Sequence, residues 1–304
     1  MEPVEREPAE EVVGPASRRE RTRLWAAAIR ANREQLAQRA QQERGRHRSV
    51  DAVFEMVERD GDVGGGIIAG ALAYRLFIWL LPLALVAVAG LGFAADAGST
   101  SPEEAAESLG IDGLVSSSIT NAAESPNRWY ALLIGIPVLL WTTRSLLRVL
   151  IGAHRLVWSD ARAAAPKPTP IATLRLLVLL LTFGAVTTFA SALRAWSPGP
   201  GLIATLATVV AYAGLWLLIS LQLPHRGADW VELVPGALVY GVGVEVLNVV
   251  VVYVITPWAL AKQGTYGALG IAAALLFGLY LISRVVVAAA VVNVTLWERQ
   301  ARPE

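Results

Sequence analysis

The chain has 304 residues, 55% of them apolar and 17% charged, a formal net charge of +1 and no cysteine. Its mean hydropathy of +0.50 is more than a water-soluble core of this size requires. The lack of cysteine excludes disulfides, cysteine-ligated zinc, iron–sulfur clusters and thiol catalysis.

Charge gathers at the start, where residues 1–62 hold 12 of the 26 basic and 13 of the 25 acidic residues. Residues 1–16 lack periodicity and read as disordered. From Ser17 to about Arg44 an Arg-, Ala- and Gln-rich run carries a thin apolar stripe of Leu24, Trp25, Ile29 and Leu36, which predicts a weakly held helix. Arg18 to Arg48 sets ten arginines against Glu20, Glu34 and Glu43. Such a tail is drawn to anionic lipid; nucleic acid is not favoured, because the interleaved aromatics that stack on bases are missing. The first 60 residues show no cleavable signal pattern, so the first apolar helix is expected to act as its own insertion signal.

Over 49–60, Val50, Val53, Phe54 and Val57 recur at helical spacing behind the capping residue Ser49. This predicts an amphipathic helix that either lies along the inner membrane surface or packs on the bundle. Six runs then have the roughly 20 apolar residues needed to cross about 30 Å of hydrocarbon: Gly65 to Phe93, Trp129 to Leu150, Leu174 to Leu193, Leu202 to Leu223, Leu233 to Ile255 and Tyr266 to Leu296. They lack the two-residue alternation of barrel strands, so helices are the consistent reading.

Basic residues accumulate on the cytoplasmic side of a membrane protein. Arg46, Arg48 and Arg59, then Arg155, Arg162 and Lys167, then Arg226, then Arg299 and Arg302 fall in alternate loops, whereas residues 94–127 hold six acids and no base. The expected architecture is therefore an all-α, polytopic bundle of six transmembrane helices in the cytoplasmic membrane, with both termini cytoplasmic. A tail over 1–48 precedes the 49–298 membrane domain, and a short tail over 299–304 follows it. The outer loop over 94–128 has a helix start at Ser101 and Pro102, which predicts a small extracytoplasmic helical cap. Trp129, Trp196, Trp230, Trp258 and Trp297 suit the interfacial belt. No internal repeat is evident.

Four blocks, in order, resemble the YihY/virulence factor BrkB family. They are ALAYRLFIWLLPLALVAVAGL from Ala71, LLWTTRSLLRVLIGAHRLVW from Leu139, LPHRGADWVELVPGALVYGVGVEVLN from Leu223 and YGALGIAAALLFGLYLISRVVVAAAVVN from Tyr266. The resemblance covers roughly residues 50–298. It implies a six-helix inner-membrane protein suspected of transport, with an old ribonuclease BN label. Metal-dependent nucleases need clustered His, Asp or Glu, and here His47, His154 and His225 stand apart, so no metal, no cofactor and no enzymatic activity are expected. The family's final helix often carries a Gly-Ala-Glu step near Ala289 and Ala290; this chain reads Val-Asn there, so no role of that carboxylate transfers.

An ionised group inside a span costs at least about 2.5–3.5 kcal/mol on insertion scales, so it demands a partner or a wet cavity. Arg75, Arg144, Glu245 and Arg284 are the candidates. One reading places them around an arginine-lined cavity for an anionic amphiphile, with Glu245 orienting one arginine. The plainer reading pairs Glu245 with Arg75 or Arg284 to fix helix register, with Arg144 snorkelling to the interface. Asn248 and Asn293 read as interhelical hydrogen-bond formers. Pro82 and Pro137 should kink their helices, and Gly66 with Gly70, like Ala237 with Gly241, should let helices approach closely. Gly264, Gly267 and Gly270 beside Tyr266 suit an outer gate or a tight turn. The competing function classes are a transport or lipid-handling protein and a membrane scaffold with a lipid- or partner-binding tail; oligomeric state is left open.

Overall fold

The structure, a computed structural model, describes residues 48–96, 128–159, 167–196, 201–251 and 256–301, together with Trp25. The chain divides into two compact units, residues 1–54 and 55–304. Seven helices are described: α1 (Arg48–Asp62), α2 (Gly65–Asp96), α3 (Arg128–Val157), α4 (Pro170–Trp196), α5 (Gly201–Ser220), α6 (Trp230–Val250) and α7 (Thr256–Ala301). No strand occurs among the described residues, and α2 to α7 each contain a stretch long and apolar enough to cross a membrane. The arginine-rich tail, the acidic outer stretch with its expected cap, and the side chains of Gly264 and Gly267 lie outside what is described.

Several helices overrun their apolar cores, for local reasons. The second expected span ends at Leu150, yet α3 runs on to Val157 and takes His154 and Arg155 into its last turn, because Leu150, Ile151, His154 and Val157 continue one buried face. At α4, Pro170 occupies the first turn, where a missing N–H costs nothing, and Thr169 Oγ1 accepts the Ala172 N–H at 3.1 Å. The Glu232 carboxylate accepts the Asp229 N–H at 2.7 Å and fixes the start of α6. Helices α2 and α3 run unbroken through Pro82 and Pro137.

Consecutive spanning helices pack side by side, and α7 returns to α2 to close a ring. Between apolar helices in lipid there is little hydrophobic driving force, so close packing and internal hydrogen bonds carry the association. Gly241 provides one such approach: a β-carbon there would run into the Val209 carbonyl and Ala213 of α5. Gly236 provides another, against the Ala289 carbonyl and Asn293 of α7. There the Asn293 side chain accepts the Gly236 N–H at 2.6 Å.

Gly66 and Gly70 behave differently from expectation. Gly66 meets only the Tyr280 hydroxyl, at ordinary contact distance, and Gly70 faces open space. The crowded glycine is their neighbour Gly65, because α2 presents Gly65 inward and Gly66 outward.

The ring turns apolar side chains outward. Ile67 is 82% exposed, and Leu133, Phe189 and Ile203 are also largely exposed. A surface of this kind suits hydrocarbon and would be a liability in water. Helix α4 is the least embedded, with 11% of its apolar window buried against 44% for α5.

Candidate functional site

A hollow of about 240 Å³ lies inside the ring. Every spanning helix contributes to its wall, through Trp79 of α2, Leu146 of α3, Phe183 of α4, Trp216 of α5, Tyr240 of α6 and Ile282 of α7. Trp216 and Tyr240 stack at 4.5 Å, and Phe183 stands 4.8 Å from Tyr212. Two polar groups at the wall are turned onto partners, Trp79 Nε1 donating to Thr143 Oγ1 at 2.9 Å and the Ser283 hydroxyl to the Leu279 carbonyl at 2.8 Å, whereas Trp216 Nε1 is buried without a hydrogen-bond partner among the described residues. Gly184 of α4 is both part of the wall and exposed.

None of Arg75, Arg144, Glu245 and Arg284 lines this hollow, and the structure sends the four to different places. Arg284 is held by Asp60 of α1 through two bonds of 3.1 and 2.8 Å. The pair closes directly over Gly65, whose hydrogen leaves the room that both side chains occupy. Two further pairs join α1 to the far end of α7, Arg59 with Glu298 at 2.7 Å and Glu55 with Arg299 at 2.9 Å. Arg59 Nε also donates to the Val157 carbonyl at the end of α3, and Arg226 lies 3.3 Å from Glu298 and over the Trp297 ring. The polar side of α1 is thus docked on the bundle, while Val57 is left exposed.

Glu245 is buried. It sits one turn beyond Gly241 on the side of α6 that meets α5, whereas Gly243 on the opposite side abuts Val285 of α7. Glu245 and Arg284 therefore lie on different helix interfaces, and the expected pairing gives way to Asp60, which the hydropathy reading places outside the spans.

The Trp79–Thr143 bond sets the register of the antiparallel helices α2 and α3. Gly65 and Val157 are equally far from it along their helices, so Arg75 lies at the depth of Leu147 and Arg148. Arg75 is half-buried with its guanidinium 5.9 Å from the Tyr74 ring, while Arg144 and Arg148 are exposed. Arg148 stands one turn from Arg144, and that i, i+4 spacing was the available signal for it.

His154 is buried and donates its Nδ1 hydrogen to the Leu150 carbonyl at 3.2 Å, and His225 bonds the Leu223 carbonyl. Among the described residues no three of His, Cys, Asp and Glu gather in a group able to hold a metal ion.

A family model described as virulence factor BrkB matches residues 59–304. The chain belongs to the virulence factor BrkB family. The match takes in the six apolar helices together with Arg59 and Asp60, so the ion-paired junction of α1 with α7 falls inside the BrkB region. No curated protein and no solved structure matches the chain. With six apolar helices and this family membership, the BrkB chain is a multi-pass membrane protein.

Proposed function

We propose that this BrkB-family protein handles an anionic amphiphile in the cytoplasmic membrane of a bacterium, binding or moving it rather than transforming it, with both termini in the cytoplasm. The observation that carries the reading is the apolar hollow walled by all six spanning helices, with the exposed Gly184 in its wall. An engineered apolar cavity of about 150 Å³ stays dry and takes up small apolar molecules, so a larger one bathed in lipid suits an apolar chain. Arginines at membrane depth, set outside that hollow, supply the complement for an anionic head group. The alternation of basic loops supports the orientation.

A scaffold reading is favoured by a different observation. Arg59, Arg284 and Arg299 are paired with Glu298, Asp60 and Glu55, which is what charges that only fix helix register would show.

The test is contact between tails and wall. The protein is reconstituted with phospholipids brominated along the acyl chains, and quenching is compared between the parent and a Trp216→Phe variant. Quenching of Trp216, taken as the difference between the two, supports the reading; it should fall in Gly184→Leu, which puts a bulky side chain into the open space beside that wall position. Equal quenching in parent and Trp216→Phe would leave the scaffold reading in place.

A further inference from the structure

On α3 the three residues Arg144, Arg148 and Arg155 stand four and seven positions apart. At 100° per residue their side chains leave the helix within about 40° of one another, forming a single stripe about 16 Å long. The buried face of α3, marked by Leu139, Thr143, Leu146, Leu147 and Leu150, lies on the other side. Arg144 and Arg148 are exposed, and among the described residues neither forms an ion pair or hydrogen bond. Arg144 lies six residues, about 9 Å along the axis, inside Leu150, where the apolar run ends, and Arg148 lies closer still, so both guanidinia stand within snorkelling reach of the phosphate layer.

Intramembrane arginines normally face a bundle interior or a wet cavity because hydrocarbon penalises them. Here two face outward, where an anionic group at the interface can meet them. A second copy of the chain is a poor candidate. Within the six apolar spans the acids are Glu232, Glu245 and Glu298. Glu232 sits in the first turn of α6, Glu245 is buried and Glu298 is bound to Arg59 near the end of α7. None offers an outward carboxylate at the depth of Arg144. The membrane itself supplies the other anion, the lipid phosphate, whose planar bidentate recognition is what a guanidinium does best.

We propose that the outward face of α3 is a binding ladder for the phosphate of an acidic phospholipid, with Arg144 and Arg148 as its two rungs. The proposal rests on the lipid-handling reading and gives it a place. A head group held at Arg144 sits just inside the interface at the Leu150 end of the span, while its tails stay in the surrounding hydrocarbon. It uses a different surface from the central hollow, so the two can fail separately.

The experiment measures retention of lipid on the full chain in nanodiscs of phosphatidylcholine doped with phosphatidylglycerol, read by native mass spectrometry and by the midpoint of thermal unfolding. The parent should retain phosphatidylglycerol in preference to phosphatidylcholine and be stabilised by it. Arg144→Gln/Arg148→Gln should weaken that preference about tenfold or more, the loss expected when two charge-assisted contacts go. Arg144→Lys/Arg148→Lys should keep part of it, and Gly184→Leu should leave it unchanged, which separates this ladder from the hollow. Removing buried-depth charge eases insertion, so the glutamine variant is expected to fold; if it does not, the single variant Arg148→Gln gives the same comparison. Equal retention by parent and variants overturns the proposal. So does stabilisation by inorganic phosphate in neutral lipid equal to that by phosphatidylglycerol, and so does a dimer that dissociates on substitution without change in lipid preference.

Discussion

Asp60 and Arg284, 224 residues apart in sequence, meet through two bonds of 3.1 and 2.8 Å, in the space that a β-carbon on Gly65 would need. The contact ties the short helix α1 to the middle of α7 and places a side-chain requirement on a residue that touches neither by a side chain of its own.

Gly65→Ala should therefore act like removal of the ion pair. A destabilisation of about 1–3 kcal/mol is expected, seen as a lower thermal midpoint in detergent, and Asp60→Asn should reproduce most of it. Gly70→Ala, which enters open space, should be neutral or stabilising by up to about 1 kcal/mol through helix propensity. Equal losses at both positions would remove the special standing of Gly65.

The approach of α6 to its neighbours gives a second prediction. Gly241→Ala drives a methyl against the Val209 carbonyl, and Gly236→Ala drives one against the Ala289 carbonyl. Backbone cannot yield as a flexible side chain does, so each should cost about 1–3 kcal/mol. Asn293→Leu strands the Gly236 N–H and should cost about 1 kcal/mol or more in a thermal melt.

At the wall of the hollow, Thr143→Val removes the acceptor of Trp79 Nε1. The expected loss is about 1 kcal/mol, the scale of hydrogen bonds between membrane helices. Trp79 emission, isolated by comparison with Trp79→Phe, should shift as the indole loses its partner. An unchanged spectrum would argue against the α2–α3 register deduced from that bond.

Because the chain contains no cysteine, single cysteines report sidedness cleanly. Lys167→Cys, exposed just before α4, should react with an impermeant maleimide from the cytoplasmic face. Glu104→Cys, in the acidic stretch, should react from the other. The reverse pattern would invert the proposed orientation.

The six spans were legible in the sequence because hydrocarbon imposes a coarse and unforgiving filter: each run must be apolar for about 20 residues, whatever its neighbours are. Helix ends were less so. Arg155 looked like a loop residue by its charge, yet it extends α3, since past the membrane core a helix continues on packing and capping rather than on hydropathy. Partnerships were harder still. Glu245 and Arg284 share a depth by position, but facing is decided by which side of α6 meets α5 and which meets α7. Gly66 and Gly70 carry the same small-residue spacing as any close-contact motif, and only the rotation of α2 selects Gly65 for the crowded position. The outward pair Arg144 and Arg148 shows the converse case, where the spacing was in plain view and its meaning depended on which face the bundle buried.

Helix α7 is 46 residues in one unbroken rod, about 69 Å at the usual rise, more than twice the thickness of the hydrocarbon it crosses. One stretch of it walls the hollow at Leu279 and Ile282, and α1 grips it both beside that stretch, at Arg284, and near its tip, at Arg299. Wall and clamp therefore share one helix, with Ile282 at the hollow only two residues from the Arg284 that α1 holds.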